Sequence, residues 1–242
     1  MTRTRLLALP LLAALLAGCS AAASPSATGQ PAIQLSATLI RPTDIRLTWR
    51  ASGPEPAGRI LEYATAPAGP FTILGFLPPG QTAFTHSLLM PGTTFYYRVQ
   101  PFYGPTTNTV GVSLPPGKYH EPTQAQEIWA LPRTLPGNPV AQHSIRTPRT
   151  AAAGAPAGLR ATIVPGTGVE LTWVDHATNE EGYFVEIKPA GSTIFHVIEV
   201  LQPHINSCGI VVLPDEEKAS YRVRAFYYGS PSNLVHRTTG GV

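Results

Sequence analysis

Two stretches of the chain alternate apolar and polar residues with the two-residue period of a half-buried strand. Residues 45–50 read IRLTWR, and residues 169–174 read VELTWV. In both stretches every second side chain is large and apolar, which predicts a strand with one face in a core and the other in solvent. The two stretches lie 124 residues apart.

The same offset aligns the chain with itself without an insertion over residues 35–103 and 159–227. The matching positions include glycines, charged residues and a tyrosine motif: Gly58 and Gly182, Glu62 and Glu186, and YRV at 97–99 and 221–223. A repeat held in register over this length predicts two copies of one folding unit.

Each copy contains six or seven short stretches with strand pattern. Turn-forming sequences separate them, such as SGPEPAG at 52–58 and DHATNEEG at 175–182. The 26 prolines and 22 glycines also favour short strands joined by turns over helices. Short strands at this spacing predict an all-β class and antiparallel sandwiches.

Three features carry a family resemblance. The second copy opens with Pro156, Leu159 and Ala161, and each copy has a tryptophan on its repeated strand, Trp49 or Trp173. The third feature is the turn sequence LMPGTTFYYRV at 89–99. These features resemble fibronectin type III domains. NEEGY at 179–183 is similar to a stretch common in bacterial members of that family. The resemblance implies two immunoglobulin-like β-sandwiches over residues 31–115 and 157–242. The family's sandwich serves many partners, so a binding function is the expectation.

The first residues of the chain have the pattern of a targeting segment. Arg3 and Arg5 precede an apolar run at residues 6–16. This run is too short to cross a bilayer, which needs about 20 apolar residues. A signal peptide over residues 1–19 is therefore predicted.

Residues 16–19 read LAGC and resemble the lipobox of bacterial lipoproteins. In that family the cysteine thiol receives a diacylglycerol and the peptide is cut just before it. The resemblance predicts an extracytoplasmic protein of the bacterial cell envelope, anchored by lipid on Cys19 to the cell membrane or outer membrane. The alternative is a secreted protein cut after Ala23.

Two further segments lack a strand pattern and predict connections. Residues 20–30 predict a flexible tether, and residues 116–156 predict a Pro-rich linker that is mostly extended or flexible. Within the linker, residues 123–131 have a capping-box pattern and could form two helical turns. A helix of this length is unstable on its own. Trp129 is therefore expected either to fix the two domains relative to each other or to bind a partner.

Charge and cysteine content exclude some classes of protein. The formal net charge is +3, and Arg3 and Arg5 contribute two of those charges, so no region is basic enough to predict nucleic-acid binding. With Cys19 assigned to lipid, Cys208 has no disulfide partner. Cys208 aligns with Phe84 in the repeat, which predicts a buried residue in a core.

No arrangement of residues predicts catalysis, a cofactor or a metal site, and the protein is predicted not to be an enzyme. The suggestive neighbours are Asp175-His176, His120-Glu121, and His204 near Cys208. Each has a structural explanation as loop, linker or core residues. The repeated pairs Glu62–Arg98 and Glu186–Arg222 are expected to face solvent as cross-strand ion pairs.

Tyrosines supply the weak binding candidates, together with Trp129. Tyr103, Tyr227 and Tyr228 flank the loops GPTTN and YGSPSN and could form an aromatic contact surface or lie on a sheet face. The predicted function is a binding or scaffolding module with a protein or polysaccharide ligand at the envelope. The alternatives are a passive spacer and, less favoured, an enzyme with an interdomain site.

Overall fold

The computed structural model describes residues 32–115, 127–137, 139–164, 168–213 and 216–241. The predicted signal peptide, the tether and Cys19 lie outside these residues. Within them the chain is built of β-strands, with a 3-10 helix at Glu127–Ala130, a residue in 3-10 conformation at Glu216 and no α-helix. None of the described helical structure could span a bilayer by length and apolar character.

The strands confirm the predicted all-β class, and all strand pairs are antiparallel. The first seven are β1 (Ile33–Arg41), β2 (Asp44–Ala51), β3 (Gly58–Ala64), β4 (Thr72–Leu77), β5 (Ala83–His86), β6 (Thr94–Tyr103) and β7 (Val110–Ser113). The others are β8 (Ala157–Val164), β9 (Gly168–Val174), β10 (Gly182–Pro189), β11 (His196–Leu201), β12 (Ser207–Val211), β13 (Lys218–Tyr228) and β14 (Val235–Thr238).

Each copy of the repeat forms a sandwich of two sheets. In the first, the sheet β1-β2-β5 faces strands β4-β3-β6; in the second, β8-β9-β12 faces β11-β10-β13. The register is also repeated, since Leu47 lies opposite Phe84 and Leu171 lies opposite Cys208. The alternating strands bury their apolar faces between the two sheets of each sandwich, as predicted.

The two sandwiches have separate cores that contain the repeated tryptophans. Trp49 is buried in the first core and Trp173 in the second. Cys208 is also buried in the second core, and this burial raises the pKa of its thiol to about 12. Cys208 is therefore a core residue, as its alignment with Phe84 predicts.

The last strand of each sandwich comes from the other half of the chain. β7 follows β6 in sequence but pairs with β13, at the edge of the second sandwich. β14 follows β13 but pairs with β6, at the edge of the first. The predicted domains, 31–115 and 157–242, thus each contribute their last strand to the other sandwich of the same chain. Two independent modules would each keep all of their own strands.

Side-chain hydrogen bonds hold the segment that leads into β7. Thr107 Oγ1 accepts a hydrogen bond from the Val223 amide at 3.0 Å. Asn108 accepts from the Leu159 amide at 3.0 Å and donates to the Leu159 carbonyl at 3.3 Å. These bonds tie a segment of the first half to the second sandwich.

The segment that leads into β14 makes equivalent bonds, from the second half of the chain to the first sandwich. Ser232 Oγ accepts from the Val99 amide at 2.9 Å. Asn233 accepts from the Leu35 amide at 2.8 Å and donates to the Leu35 carbonyl at 3.0 Å. The two halves are therefore related by an approximate two-fold symmetry, with the last strands exchanged.

A direct strand contact and an apolar cluster join the two sandwiches. Tyr103 pairs with Tyr227, and Phe102 with Tyr228, so that β6 and β13 link the two larger sheets into one. The buried residues at this joint, which we call the junction cluster, are Ile60, Phe102, Phe184 and Phe226. The two sandwiches accordingly form one compact unit.

The described part of the linker packs on the second sandwich. Arg133 pairs with Ser207 and His143 with Ala177, and Ile145 is buried in the second core. For these residues the prediction of flexibility is wrong, because their backbone groups form hydrogen bonds to the sandwich and Ile145 packs in its core. Of the predicted two-turn helix, residues 123–126 lie outside the described chain, and only the 3-10 turn Glu127–Ala130 is present.

The repeated ion pairs differ between the two copies. Arg98 Nε lies 2.6 Å from a carboxylate oxygen of the partly buried Glu62. Glu186 is only 3% exposed and binds both Arg222 and Arg224. The prediction of a solvent-facing pair is wrong for Glu186, because Arg224 also donates to the Gly104 carbonyl at 2.6 Å and lies against the first sandwich.

Candidate functional site

The three predicted tyrosines lie where the sandwiches join. The rings of Tyr103 and Tyr227 stack with centroids 5.6 Å apart, and Arg146 lies 5.1 Å from the Tyr227 ring. Tyr228 packs against Phe226 at 5.1 Å. Burial raises the pKa of Tyr103 and Tyr228. All three are half-buried residues on the joined sheet.

Trp129 lies on the outer face of the second sandwich. Its ring occupies the space where a side chain at Gly209 would be, and Arg133 Nη1 donates to the Trp129 carbonyl at 3.0 Å. Trp129 therefore docks within the chain, but this contact shows neither of its two predicted roles, which were to fix the two domains relative to each other or to bind a partner, and both stay predictions. The docking surface belongs to one sandwich and not to both.

The junction between the sandwiches contains a cavity of about 280 Å³. Phe76 and Phe102 line it from the first sandwich, and Phe195 and Glu186 from the second. The Glu186 carboxylate in its wall is already bound by Arg222 and Arg224. This cavity lies between the sandwiches within the described residues, and the carboxylate in its wall is committed to ion pairs.

A second group of polar residues was not predicted from the sequence. We call Asp175, Glu180 and His204 the carboxylate–histidine cluster. Their potential metal-ligand atoms all lie within 4.8 Å of one another. His204 Nδ1 is 3.4 Å from Glu180 Oε1 and 3.7 Å from Asp175 Oδ2.

The carboxylates of the cluster are positioned by the loop between β9 and β10. Asp175 Oδ1 accepts hydrogen bonds from the Ala177 amide at 2.9 Å and from the buried Tyr183 hydroxyl. The first of these is an Asx-type turn, which fixes the carboxylate near its own backbone. Burial, followed by the bond to Asp175, raises the pKa of Tyr183, so the hydroxyl keeps its proton and donates it.

His204 lies in the turn that precedes β12, and the linker holds this turn. The backbone of His204 has a φ of +64°, a region that histidine adopts more readily than most residues. Thr134 Oγ1 donates to the His204 carbonyl at 2.7 Å, and the Leu135 amide donates to Asn206 Oδ1 at 2.6 Å. The linker thus bonds to the turn at His204 and at Asn206.

A later part of the linker holds the loop that carries the carboxylates. The His143 amide donates to the His176 carbonyl at 3.1 Å, and the Ile145 amide donates to Asn179 Oδ1 at 3.0 Å. Arg146 Nη2 lies 2.8 Å from Glu181 Oε1. One linker therefore supports both loops of the carboxylate–histidine cluster.

Both carboxylates of the cluster are buried, whereas the histidine is exposed. The side chains of Asp175 and Glu180 are 3% and 1% exposed, and that of His204 is 70% exposed. Within the described structure, neither carboxylate oxygen of Glu180 has a hydrogen-bond partner of normal geometry. Burial raises the pKa of Glu180 and the charge of Asp175 adds to this effect, while nearby backbone amides and His204 oppose it.

A third feature is an exposed groove on the first sandwich, which we call the open face. It has a volume of about 790 Å³ and is lined mainly by polar residues. Those exposed to solvent are Gln34, Ser36, Arg46, Thr48, Arg50 and Thr82. The corresponding face of the second sandwich is covered by the linker, through Trp129 on Gly209 and an ion pair between Arg133 and Glu170.

Comparisons with known proteins extend this description only at the level of the fold. No protein-family model matches the sequence, and no curated protein matches it. A computationally redesigned β-sandwich protein is 23% identical over 28% of this chain and 72% of its own, with a TM-score of 0.25. A two-domain fibronectin type III segment of chicken tenascin is 15% identical over 84% of this chain and 95% of its own, with a TM-score of 0.27. The all-β sandwich fold itself rests on the strand pairing described above.

Proposed function

We propose that this protein is a lipid-anchored binding module of the bacterial cell envelope, and that its ligand is an extended, acidic segment of another envelope protein. The observation that carries the proposal is the open face of the first sandwich. The two sandwiches form one compact unit, so they would present this face in a fixed orientation.

The second sandwich supports this choice of ligand, because its own linker occupies the equivalent face as an extended segment. The Arg133 amide donates to the Ser207 carbonyl at 2.9 Å, and the Ser207 amide donates to the Arg133 carbonyl at 3.1 Å. The Arg133 side chain then pairs with Glu170 on β9. This is the geometry by which a peptide adds to the exposed edge of a sheet.

The repeat places the equivalent groups on the first sandwich with the opposite charge. Arg46 occupies the position of Glu170, and Ala83 occupies the position of Ser207. In the free protein Gln81 Nε2 donates to the Ala83 carbonyl at 2.8 Å. In the second sandwich the equivalent carbonyl, that of Ser207, accepts from the Arg133 amide instead. An incoming strand would replace this side-chain bond by a backbone bond.

Charge complementarity decides the chemistry of the segment. Arg46 and Arg50 are both exposed in the open face, so a segment with Asp or Glu in place of Arg133 fits it. Thr85 stands where the second sandwich has Gly209, so an indole could not pack there as Trp129 does. The favoured ligand is therefore acidic and lacks a large aromatic residue at that position.

A charge-removal experiment tests the open face. In quantitative capture from envelope extract by the full chain in detergent, the double variant Arg46→Ala/Arg50→Ala should bind its protein ligand roughly tenfold more weakly. Binding by the parent chain should also weaken as salt is added. Arg160→Ala is the matched control, since Arg160 is exposed on the equivalent sheet of the second sandwich.

Three outcomes would contradict this proposal. Absence of any saturable ligand would favour a passive spacer. Capture of a polysaccharide would assign a different class of ligand to the module. Equal protein binding by the Arg46/Arg50 variant and the parent chain would place the binding surface elsewhere.

Anchoring is tested separately at Cys19. The Cys19→Ala variant should be neither lipidated nor cut at this position. It should also no longer remain with the membrane fraction that detergent extracts, because two or three acyl chains are needed for lasting anchorage. Cell fractionation and intact-mass measurement check this result. A mature species beginning at Ser24 in the parent chain would instead support the secreted alternative.

A further inference from the structure

We infer that Asp175, Glu180 and His204 bind a divalent transition-metal ion of the Zn²⁺ type. The site would use one oxygen from each carboxylate and Nδ1 of the imidazole. Three protein ligands leave a coordination position for water or an anion. This inference is independent of the ligand proposed for the open face.

The distances between the potential ligand atoms are suited to a small ion. In a tetrahedral zinc site with bonds of about 2.0 to 2.1 Å, neighbouring ligand atoms are about 3.3 Å apart. His204 Nδ1 lies 3.4 Å from Glu180 Oε1 and 3.7 Å from Asp175 Oδ2. All three ligand atoms lie within 4.8 Å of one another, so small side-chain rotations would complete the shell.

The electrostatics of the cluster also point to a cation. The carboxylates of Asp175 and Glu180 are both buried, and two such charges close together are unfavourable without compensation. The two Glu180 oxygens have no hydrogen-bond partner of normal geometry within the described chain. A divalent ion with a neutral imidazole would balance both negative charges and satisfy these oxygens.

The ligand set favours zinc-like ions over Mg²⁺ or Ca²⁺. Imidazole nitrogen suits zinc and its transition-metal neighbours, whereas Mg²⁺ and Ca²⁺ prefer oxygen ligands throughout. The Tyr183 hydroxyl and the Ala177 amide orient the Asp175 carboxylate, as outer groups do around bound metals. His204 is 70% exposed, which provides a path for the ion from solvent.

Metal titration of the full chain in detergent tests the inference. Co²⁺ should bind at one ion per chain with visible absorption bands, and Zn²⁺ should displace it. His204→Ala should lower the affinity for Zn²⁺ at least about tenfold, and Glu180→Gln should do so while keeping the size of the side chain. Because His204 is exposed, its replacement should leave the fold intact, which circular dichroism would verify.

His196→Ala is the matched control, since His196 is an exposed histidine of the same sandwich outside the cluster. It should bind Co²⁺ and Zn²⁺ like the parent chain. Absence of Zn²⁺ binding at millimolar concentration would overturn the inference. Binding that survives unchanged in His204→Ala would overturn it as well, because the ion would then lie elsewhere.

Discussion

Replacing Phe184 by alanine is expected to lower the free energy of unfolding by about 3 to 5 kcal/mol, the usual effect of removing a fully buried phenylalanine. Phe184 is completely buried at the junction of the two sandwiches. Such a change is a large part of the total stability of an ordinary domain.

The reason is the number of rings that Phe184 contacts across the junction. Its ring centroid lies 3.7 Å from that of Phe226 in its own sandwich. It lies 4.8 Å from Phe102 and 5.4 Å from Phe76, both in the first sandwich. Alanine would leave a cavity lined by both halves of the chain, so both sandwiches would lose packing contacts and stability.

Because the core at the junction and the last strands are shared, both sandwiches should unfold in one transition, in the parent chain and in Phe184→Ala. Calorimetry combined with near-ultraviolet circular dichroism checks this expectation. Phe71→Ala is the control, since Phe71 is only half-buried and lies on Arg98 in the first sandwich. Two separate transitions, with only one displaced by Phe184→Ala, would show that the sandwiches are independent.

Local patterns predict the strands and the cores well. The alternation at residues 45–50 and 169–174 is a property of neighbouring side chains, and the structure confirms both strands and both buried tryptophans. The same reasoning identifies Cys208 as a core residue, because its position in the repeat carries the information. These features depend on short-range periodicity and on the alignment of the two copies.

The strand exchange could not be derived from these patterns. The connections after β6 and β13 contain similar sequences, PTTNTV at 105–110 and PSNLV at 231–235. Because the copies are alike, each last strand would find nearly the same partners in its own sandwich as in the other. The choice depends on the path of the connection in space, which the repeat does not encode.

The carboxylate–histidine cluster was missed for a related reason. The sequence draws attention to Asp175 and His176 because they are adjacent, yet the histidine of the cluster is His204. The pairing of β12 with β9 brings the turn of His204 to the loop of Asp175, and the linker holds both. A contact created by strand register and by a docked linker has no signature in local spacing.

Replacing Ser232 and Asn233 together by alanine is expected to loosen the first sandwich, although both residues belong to the second half of the chain. Ser232 bonds to the Val99 amide, and Asn233 bonds to both backbone groups of Leu35. Loss of three hydrogen bonds should cost about 2 to 4 kcal/mol. The cost should appear first as easier opening of β14.

Amide hydrogen exchange of Leu35 and Val99 measures this opening. In Ser232→Ala/Asn233→Ala, exchange at these two amides should accelerate at least about tenfold, which corresponds to 1.4 kcal/mol or more. The equivalent amides of the second sandwich, Leu159 and Val223, should keep their rates, because Thr107 and Asn108 bond to them and are unchanged.

The crossed variant Thr107→Ala/Asn108→Ala provides the matched control, since it removes the equivalent bonds from the other half. It should accelerate exchange at Leu159 and Val223 and leave Leu35 and Val99 protected. If each double variant loosened the sandwich of its own half instead, β7 would pair with β6 and β14 with β13. The reciprocal result requires the exchange of last strands, because only that arrangement places Asn233 beside Leu35 and Asn108 beside Leu159.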